Sequence, residues 1–394
     1  MTDPHDAVVI IGMARTPMGN FRGCLKSFNA TDLGAVAIKA AVKRSGIDGR
    51  SVDEVLMGCV LSAGLGQAPA RQAAISAGLP LSAGSTTVNK MCGSGMKAIM
   101  FGFDLIKAGS AKVVVAGGME SMTNAPYLLP KAREGLHIGH AKILDHMYLD
   151  GLEDPREKRL MGCFAEDCAE QYSFSRDQQD DFAKKSLLRA QKALAEGWFD
   201  NEIELVSHTL KNELVTVDQD ENPRVVDVDK IARLNPVFKS NGTVTAANSS
   251  SISDGAAAVV LMAESEAKRL DIQPLARIIG HQTHSQEPAC FTTAPIYAIE
   301  KLLAKLAMNI ADIDLFEINE AFAVVVLTAL QELDLSIDKA NVHGGACALG
   351  HPIGASGARI IVTLLSALQR YELKRGLASL CIGGGEATAL VIER

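Results

Sequence analysis

The sequence of 394 residues lacks the features that mark membrane-spanning and nucleic-acid-binding proteins. No apolar run approaches the length of about 18 residues that a membrane-spanning helix needs. Lysine and arginine number 39 against 46 aspartates and glutamates, so the net charge of −7 indicates no basic surface for nucleic acid. We therefore expect neither a membrane nor a nucleic acid among its partners.

Signals for export and for disulfide bonds are also missing. The N-terminal residues 1–6 are acidic and polar, unlike a signal or transit peptide. The eight cysteines include no Cys-x-x-Cys pair, which in a chain of this length favours free thiols in a reducing compartment. These features predict a cytoplasmic protein.

Common nucleotide-binding and hydrolase motifs are absent as well. The chain has no Gly-x-x-x-x-Gly-Lys-Ser/Thr loop, no Gly-x-Gly-x-x-Gly, no Gly-x-Ser-x-Gly and no His-Glu-x-x-His. Its hydrophobic fraction of 47% with 22% charged residues is typical of an ordered globular chain. The length suggests two or three packed units.

The first 121 residues alternate between buried-strand runs and helical periods. Ala7 to Ile11 is a short apolar run that predicts a strand buried on both faces. Thr31 or Asp32 can cap a helix that ends at Gly46. The run from Lys112 to Ala116 predicts another strand, which Gly117 and Gly118 would stop. This alternation predicts a layered α/β domain.

A more polar segment follows. Of the 130 residues from 122 to 251, 38 are Asp, Glu, Lys or Arg, against 47 of the other 264. The segment therefore resembles a charged insertion over a more apolar framework. Within it, Ser175 and Gln178 fit a capping box, and the helix that they begin is predicted to run to Gly197.

The two ends of the chain repeat one pattern. Cys92-Gly93-Ser94-Gly95 precedes a helical run, a strand and Gly117-Gly118-Met119-Glu120. Gly354-Ala355-Ser356-Gly357 likewise precedes a helical run, a strand and Gly383-Gly384-Gly385-Glu386. Two such units suggest a duplicated domain with a pseudo-twofold axis. The alternative is a chance similarity, because many α/β proteins repeat this order of turn, helix and strand.

Three residue types in these motifs can carry nucleophilic or acid/base chemistry. Cys92 stands just before a helix, where the helix dipole favours a thiolate and glycines leave room for a substrate. His351 lies in a glycine-lined turn before the second helix, and histidine is a natural base for a thiol. Cys381 ends a buried strand, and Asn319 follows another, at the sheet edge where ligands bind in α/β folds. Core packing or a structural turn is the alternative for each.

A metal site is the other reading of His351, since Cys347 lies four residues before it. No third or fourth ligand stands at a suitable spacing, so we expect no metal.

Four motifs occur together in one order: Asn-Lys-Met-Cys-Gly-Ser-Gly around Cys92, Asn-Glu-Ala-Phe from Asn319, Gly-His-Pro-Ile-Gly around His351, and Cys-Ile-Gly-Gly-Gly from Cys381. In this combination the chain strongly resembles the thiolase family, from about Ile10 to its C-terminus. A ketoacyl synthase is disfavoured because Cys381 stands where a second histidine would be expected.

The resemblance implies an α/β fold of two duplicated βαβαβαββ halves in α-β-α-β-α layers with an inserted loop domain. The N-terminal half would cover 1–121, completed by 252–272, and the C-terminal half 273–394. Residues 122–251, hereafter the insertion, would form a loop domain that binds coenzyme A.

The resemblance also implies a reversible Claisen condensation of two acetyl-CoA molecules to acetoacetyl-CoA and CoA. Cys92 would carry the acetyl group, with His351 as the base that accepts the thiol proton. Cys381 would remove the α-proton of the second acetyl-CoA. His351 and a water held by Asn319 would stabilise one oxyanion, and the backbone N–H groups of Cys92 and Gly383 the other. No cofactor is expected beyond the CoA thioester substrates.

Five further positions match substrate contacts of the family. Ser250 would meet the pantetheine arm, Phe238 and Met161 would line it, and Phe322 would face the pocket. Arg224 would meet a CoA phosphate, although a solvated arginine is the simpler reading. Ordinary core packing is the alternative for the others.

Chain length and assembly are less directly indicated. Leu160 stands where many short-chain members carry histidine, whereas residues 146–154 resemble members that condense acetyl units. The alternative is a thiolase for longer 3-oxoacyl-CoAs, and a more distant one is a non-catalytic CoA-binding protein. The segment Thr123 to His140 could clasp dimers, which predicts a homotetramer rather than a dimer.

Overall fold

The computed structural model describes residues 6–210 and 213–394, so Met1 to His5 of the polar N-terminal stretch lie outside it. The N-terminal part alternates strands and helices. Its elements are β1 (Val8–Arg15), β2 (Gly19–Asn20), α1 (Ala30–Ser45), β3 (Glu54–Gly58), α2 (Pro69–Ser76), β4 (Gly84–Val88), α3 (Ser94–Lys107) and β5 (Val113–Ser121).

The insertion contains short strands and two long helices. Its elements are β6 (Tyr127–Leu128), β7 (Leu144–Asp145), α4 (Met161–Gln171), α5 (Arg176–Ala195), β8 (Val206–Leu210), β9 (Glu213–Val217) and α6 (Asn222–Val225).

The remaining chain returns to the central sheet. Its elements are β10 (Ser253–Ala263), α7 (Glu264–Arg269), β11 (Ala276–Ser285), α8 (Ala294–Lys305), β12 (Leu315–Ile318), α9 (Ala323–Glu332), α10 (Ala346–Leu349), α11 (Ile353–Arg370), β13 (Arg375–Ile382) and β14 (Glu386–Glu393). Short 3₁₀ or π turns occur at Gly49–Ser51, Ala132–Glu134, Tyr148–Leu152, Val228–Arg233, Pro288–Thr293, Ile310–Asp312 and Ile337–Lys339.

The main sheet shows the duplication directly. Its strands lie in the order β12-β13-β14-β11-β1-β10-β5-β3-β4, with β2 beside β10. The antiparallel β1–β11 pair lies at the centre. On one side of it follow β10, β5, β3 and β4. The corresponding places on the other side are taken by β14, β13, β12 and an isolated bridge at Ala340. Both β1 and β11 carry an irregularity at the matching place, before Gly12 and before Gly280. The predicted duplicated βαβαβαββ fold is confirmed.

Three hydrophobic clusters fill the space between the helices and the two halves of the sheet, which together form five layers. Helices α1 and α2 pack over the N-terminal half of the sheet and α8 and α9 over the C-terminal half. Helices α3 and α11 lie between the two halves and contact strands of both. Gly95 and Gly357 let these helices cross closely, because a Cβ on Gly95 would lie 2.9 Å from the Ala358 nitrogen and one on Gly357 2.4 Å from the Met96 nitrogen. The crossing brings the N-termini of α3 and α11 together.

Two predicted helices are confirmed, one with a shifted start. Helix α1 begins after Asn29, whose N–H donates to the Asp32 carboxylate at 3.0 Å, and ends at Gly46 with φ +75°. Neither Thr31 nor Asp32 is the cap, because both lie inside the first turn. Helix α5 begins at the predicted Ser175 capping box.

The predicted strand stop at Gly117 and Gly118 is wrong. Strand β5 continues through both glycines to Ser121. A Cβ on Gly117 would lie 2.1 Å from the Ala257 carbonyl oxygen, and one on Gly118 2.1 Å from that of Gly354. These glycines therefore mark close packing of β10 and α11 against the strand, and they do not mark a turn.

The two repeated patterns agree in their turn, helix and strand, but their acidic residues do not occupy corresponding positions. Asp53 accepts the two N–H groups at the start of β5, and Asp314 those at the start of β13. When β5 and β13 are aligned at these N–H groups, Glu120 corresponds to Ile382. Glu386 lies after the turn that follows β13. The two Gly-Gly-acid sequences are therefore out of register.

A fully buried ion cluster ties the insertion to the central sheet. Arg15, at the end of β1, donates to Glu202 at 2.6 Å and to both carboxylate oxygens of Asp220 at 2.7 and 2.8 Å. All three side chains have no exposed surface. Removing one partner would leave uncompensated charge in the interior.

We expect Arg15→Met to destabilise the protein by about 3–5 kcal/mol, since it leaves two buried carboxylates unpaired. Urea denaturation followed by circular dichroism measures this loss. Arg277→Met is the matched control, because Arg277 pairs with Glu264 at the surface, and it should cost about 1 kcal/mol or less. Equal losses in the two variants would contradict the prediction.

Within the described residues, no helix is long and apolar enough to cross a membrane.

Candidate active site

Cys92 lies in a tight turn before α3. The residue before it, Met91, has φ +47°, a left-handed conformation that costs a non-glycine residue about 1 kcal/mol. The turn is held because the Ser94 hydroxyl donates to the Met91 carbonyl at 2.6 Å and accepts from the Lys90 N–H at 2.8 Å. Strain of this kind is often found where a side chain must be presented to a substrate.

The predicted thiolate character of Cys92 is wrong for the resting protein. Burial raises the pKa of the Cys92 thiol to about 11, and the backbone N–H of Gly383, which bonds the sulfur, only partly offsets it. Loss of hydration therefore outweighs the helix N-terminus. The thiol is protonated at neutral pH and needs a base when it reacts.

His351 is an imidazole suited to accept that proton. Its Nδ1 lies 2.6 Å from the Ser356 hydroxyl, which donates its only hydrogen to the Pro352 carbonyl at 2.9 Å. Nδ1 must therefore carry the hydrogen, leaving a lone pair on Nε2, which is buried without a hydrogen-bond partner. Burial, assisted by the charge of Arg359, lowers the pKa of His351 to about 3, so the ring is neutral.

The sequence motif around Ser356 indicated no role for this residue. We expect Ser356→Ala to lower kcat by about 10-fold at unchanged KM, because the Nδ1 hydrogen loses its acceptor and the tautomer is no longer fixed. Steady-state kinetics of the reaction that the site catalyses measures both parameters. Ser366→Ala, a buried serine farther along α11, should leave kcat unchanged, and a similar fall there would argue against the tautomer explanation.

Asn319 has the buried, unsatisfied amide expected of a water-binding group. It follows β12, its backbone N–H donates to the Ser379 carbonyl at 3.0 Å, and it is 1% exposed. Neither side-chain oxygen nor nitrogen has a partner. Buried amides of this kind are ordinarily satisfied by an ordered water or a ligand.

Cys381 and Gly383 approach Cys92 from the opposite half. Burial, together with the neighbouring Cys92, raises the pKa of Cys381 well above its usual value. A Cβ on Gly93, next to Cys92, would lie 2.3 Å from the Ile382 side chain. The turn before α3 and the end of β13 are therefore in direct contact.

Four of the five predicted substrate contacts lie together. The Ser250 N–H donates to the Ala321 carbonyl at 2.9 Å, which places it beside Phe322. The rings of Phe322 and Phe238 meet edge to face with centroids 6.2 Å apart. Met161 packs in the same apolar cluster as Phe322 and Cys381, with its sulfur next to Gly383.

A cavity of about 400 Å³ opens beside this group. It is lined by residues of α5, α6 and the 226–234 segment, together with Ala246, Ala247, Ser251 and Cys347. Arg224 does not line this cavity. It is exposed on α6 and borders a separate depression with Cys24 and Glu221.

No group of three His, Cys, Asp or Glu side chains in residues 6–210 and 213–394 is arranged to hold a metal ion. The Cys347 thiol instead donates to the Glu320 carbonyl.

Two thiols from opposite halves, a neutral imidazole and unpartnered hydrogen-bonding groups are what a cysteine-dependent acyltransferase needs. Comparison with known proteins gives the particular family. Residues 8–265 match the model described as thiolase, N-terminal domain, and residues 272–394 that of the thiolase C-terminal domain. The chain belongs to the thiolase family.

Its relatives match over nearly their whole length. A probable acetyl-CoA acetyltransferase of Dictyostelium discoideum is 50% identical over 99% of this chain and 94% of its own. The acetyl-CoA acetyltransferase of Cupriavidus necator is 47% identical over the whole of both chains. The Bacillus anthracis acetyl-CoA acetyltransferase structure superposes with a TM-score of 0.96 at 42% identity, covering 98% of each chain. A thiolase from Ascaris suum in complex with coenzyme A gives 0.93 at 41% identity, covering 98% of this chain and all of its own.

Proposed function

We propose that this protein is an acetyl-CoA C-acetyltransferase, which condenses two acetyl-CoA molecules to acetoacetyl-CoA and CoA and catalyses the reverse thiolysis. The observation that carries the proposal is the meeting of Cys92 and Cys381 from the two halves, together with a neutral His351 before α11 whose Nε2 has no hydrogen-bond partner. The full-length similarity to acetyl-CoA acetyltransferases supports the same reaction.

In the first half-reaction, the Cys92 sulfur attacks the carbonyl carbon of acetyl-CoA while His351 Nε2 takes the thiol proton. The C–S bond to CoA breaks, and the departing sulfur receives that proton. In the second, His351 Nε2 takes the proton of the Cys381 thiol, and the Cys381 sulfur removes an α-proton from a new acetyl-CoA, which restores the thiol. The resulting carbanion attacks the acetyl group on Cys92, forming a C–C bond and expelling the Cys92 sulfur, which takes the proton that His351 holds.

The raised pKa values suit these roles. The α-proton of a thioester is weakly acidic, and the high pKa of Cys381 makes its thiolate a stronger base for that carbon acid. A water held by the Asn319 amide, which has no partner of its own, and the Gly383 N–H would hold negative charge on the two thioester oxygens. Side chains and backbone alone supply every group that this reaction requires, so we propose that no resident cofactor takes part.

We propose that coenzyme A occupies the cavity beside Ser250, with its thioester end at Phe322 and Met161. The apolar rings of Phe238 and Phe322 would line the pantetheine arm. Arg224 could reach a CoA phosphate only from its exposed position on α6.

The test is to incubate the purified protein with acetyl-CoA and to quantify acetoacetyl-CoA and CoA by liquid chromatography. Equal amounts of the two products support the proposal, and no product at all refutes it. Thiolysis of 3-oxoacyl-CoAs of increasing chain length then examines the consequence of Leu160. A steep fall beyond four carbons is expected, whereas flat activity to long chains would favour the broad-range thiolase.

We propose a cytoplasmic homotetramer. All eight cysteines are free thiols, which fits a reducing compartment. In and just after the predicted clasp from Thr123 to His140, large apolar side chains are mostly exposed: Tyr127, Leu136, Ile138 and Ile143. Such a patch favours burial against another subunit. Light scattering that shows a stable dimer at micromolar concentrations would refute the tetramer.

A further inference from the structure

A buried carboxylate holds the chain just after His351. Glu120, near the end of β5, has no exposed surface. Its Oε2 accepts the N–H of Gly354 at 2.8 Å and that of Val60 at 3.0 Å, and its Oε1 accepts that of Leu61 at 3.1 Å. One side chain thus joins the first turn of α11 to the chain that leaves β3.

A second buried carboxylate holds the chain just before His351. Glu320, which follows Asn319, is also fully buried. Its Oε2 accepts the N–H of Cys347 at 3.0 Å and the Ser186 hydroxyl at 2.7 Å, and its Oε1 accepts from the Asn341 amide at 2.9 Å. This side chain joins α10, the end of β12 and α5 of the insertion.

Glycines on both flanks leave room for these contacts. A Cβ on Gly354 would lie 2.6 Å from the Glu120 Oε2, and a Cβ on Gly345 would lie 2.3 Å from the Glu320 carboxyl carbon. Neither carboxylate could keep its place against a larger residue. The glycine-rich setting of His351 therefore serves the approach of two carboxylates as well as the turn itself.

We infer that Glu120 and Glu320 are positioning residues that clamp the His351 segment from both sides and so fix the position of its imidazole. The inference rests on the proposed function, in which His351 is a base and an oxyanion donor. Between the clamps, the direct restraints on His351 are its N–H bond to the Ser251 carbonyl at 3.1 Å and the Ser356 contact. A displacement of about 1 Å at such a group is enough to slow catalysis strongly.

The two clamps differ in their electrostatic effect. The titratable groups beside Glu120 are Cys59, whose thiol donates to its Oε1 at 3.6 Å, and Cys92. After burial, the charge of Glu120 contributes to the raised pKa of Cys92, whereas Glu320 does not. Replacing Glu120 by glutamine should therefore also lower the pKa of Cys92.

The test compares Glu120→Gln, Glu320→Gln and Asp314→Asn. Asp314 is the matched control, because it accepts two backbone N–H groups at the opposite end of the same strand pair. Both glutamine variants should lose about 10-fold or more in kcat for acetoacetyl-CoA thiolysis, with KM within about twofold of wild type. Asp314→Asn should retain kcat.

A second measurement reports on Cys92 without any CoA ester as substrate. The rate at which iodoacetamide alkylates Cys92, followed by peptide mass spectrometry across pH, should shift to lower pH in Glu120→Gln and stay unchanged in Glu320→Gln. A wild type without thiolysis would refute the proposed function, whereas this profile would still report on Glu120.

The inference would be overturned if the glutamine variants had the same kcat as Asp314→Asn, or if they differed from the wild type in KM alone. If a glutamine variant does not fold, Cys59→Ala and Ser186→Ala replace it. Each removes one side-chain donor and keeps the carboxylate. A lower kcat at unchanged KM supports the clamp, and an unchanged kcat overturns it.

Discussion

Replacing Cys92 with serine is expected to abolish covalent acetylation and to lower kcat by at least about 10⁴-fold, as loss of a nucleophile does in other covalent enzymes. The serine hydroxyl is a far weaker nucleophile than a thiol, and it cannot pass its proton to His351 as readily. Intact-protein mass spectrometry after brief exposure to acetyl-CoA should show one acetyl group on the wild type, discharged by free CoA, and none on the variant.

The control for Cys92 is Cys290→Ser, which removes an exposed thiol. It should acetylate like the wild type. Acetylation that persists in Cys92→Ser and disappears in another cysteine variant would mean that the nucleophile has been misassigned. A folded, CoA-binding wild type that never acetylates would favour the non-catalytic alternative.

Replacing Cys381 with alanine should separate the two half-reactions. Acetylation of Cys92 should persist, because nucleophile and base are intact, whereas acetoacetyl-CoA formation should fall by about 10³-fold when the carbon-acid base is lost. Rapid-quench measurement of acetyl-enzyme, with chromatography of acetoacetyl-CoA, distinguishes the two steps.

Cys168→Ala is the matched control for Cys381, since Cys168 is another buried thiol, within 3.6 Å of the Thr328 hydroxyl. It should retain both half-reactions. Condensation at the wild-type rate in Cys381→Ala would remove Cys381 from the mechanism and require another base.

The sequence indicates the candidate catalytic groups because they stand in short local motifs at helix starts and strand ends. Cys92 and His351 precede α3 and α11, and the crossing of those helices brings their first turns together. The duplication was visible for the same reason, since turn, helix and strand repeat locally.

Sequence reasoning failed where a distant part of the chain decides the outcome. Gly117 and Gly118 read as a strand end, yet they accommodate β10 and α11 packed against them. The helix dipole predicts a thiolate at Cys92, yet burial between the halves has the larger effect on its pKa. The roles of Glu120 and Glu320 could not be predicted, because each depends on backbone groups remote in sequence.

The place where the insertion joins the sheet has an evolutionary consequence. The chain leaves β5 at Ser121 and returns on β10, where Asp254 is the direct cross-strand neighbour of Ser121. In the other half, the matching strands β13 and β14 are joined by a tight hairpin of three glycines. The insertion thus leaves and rejoins the sheet at one pair of neighbouring residues in an antiparallel strand pair. It can therefore lengthen, shorten or be exchanged without altering the register of the strands. Such a connection lets the insertion diversify while the central sheet stays constant.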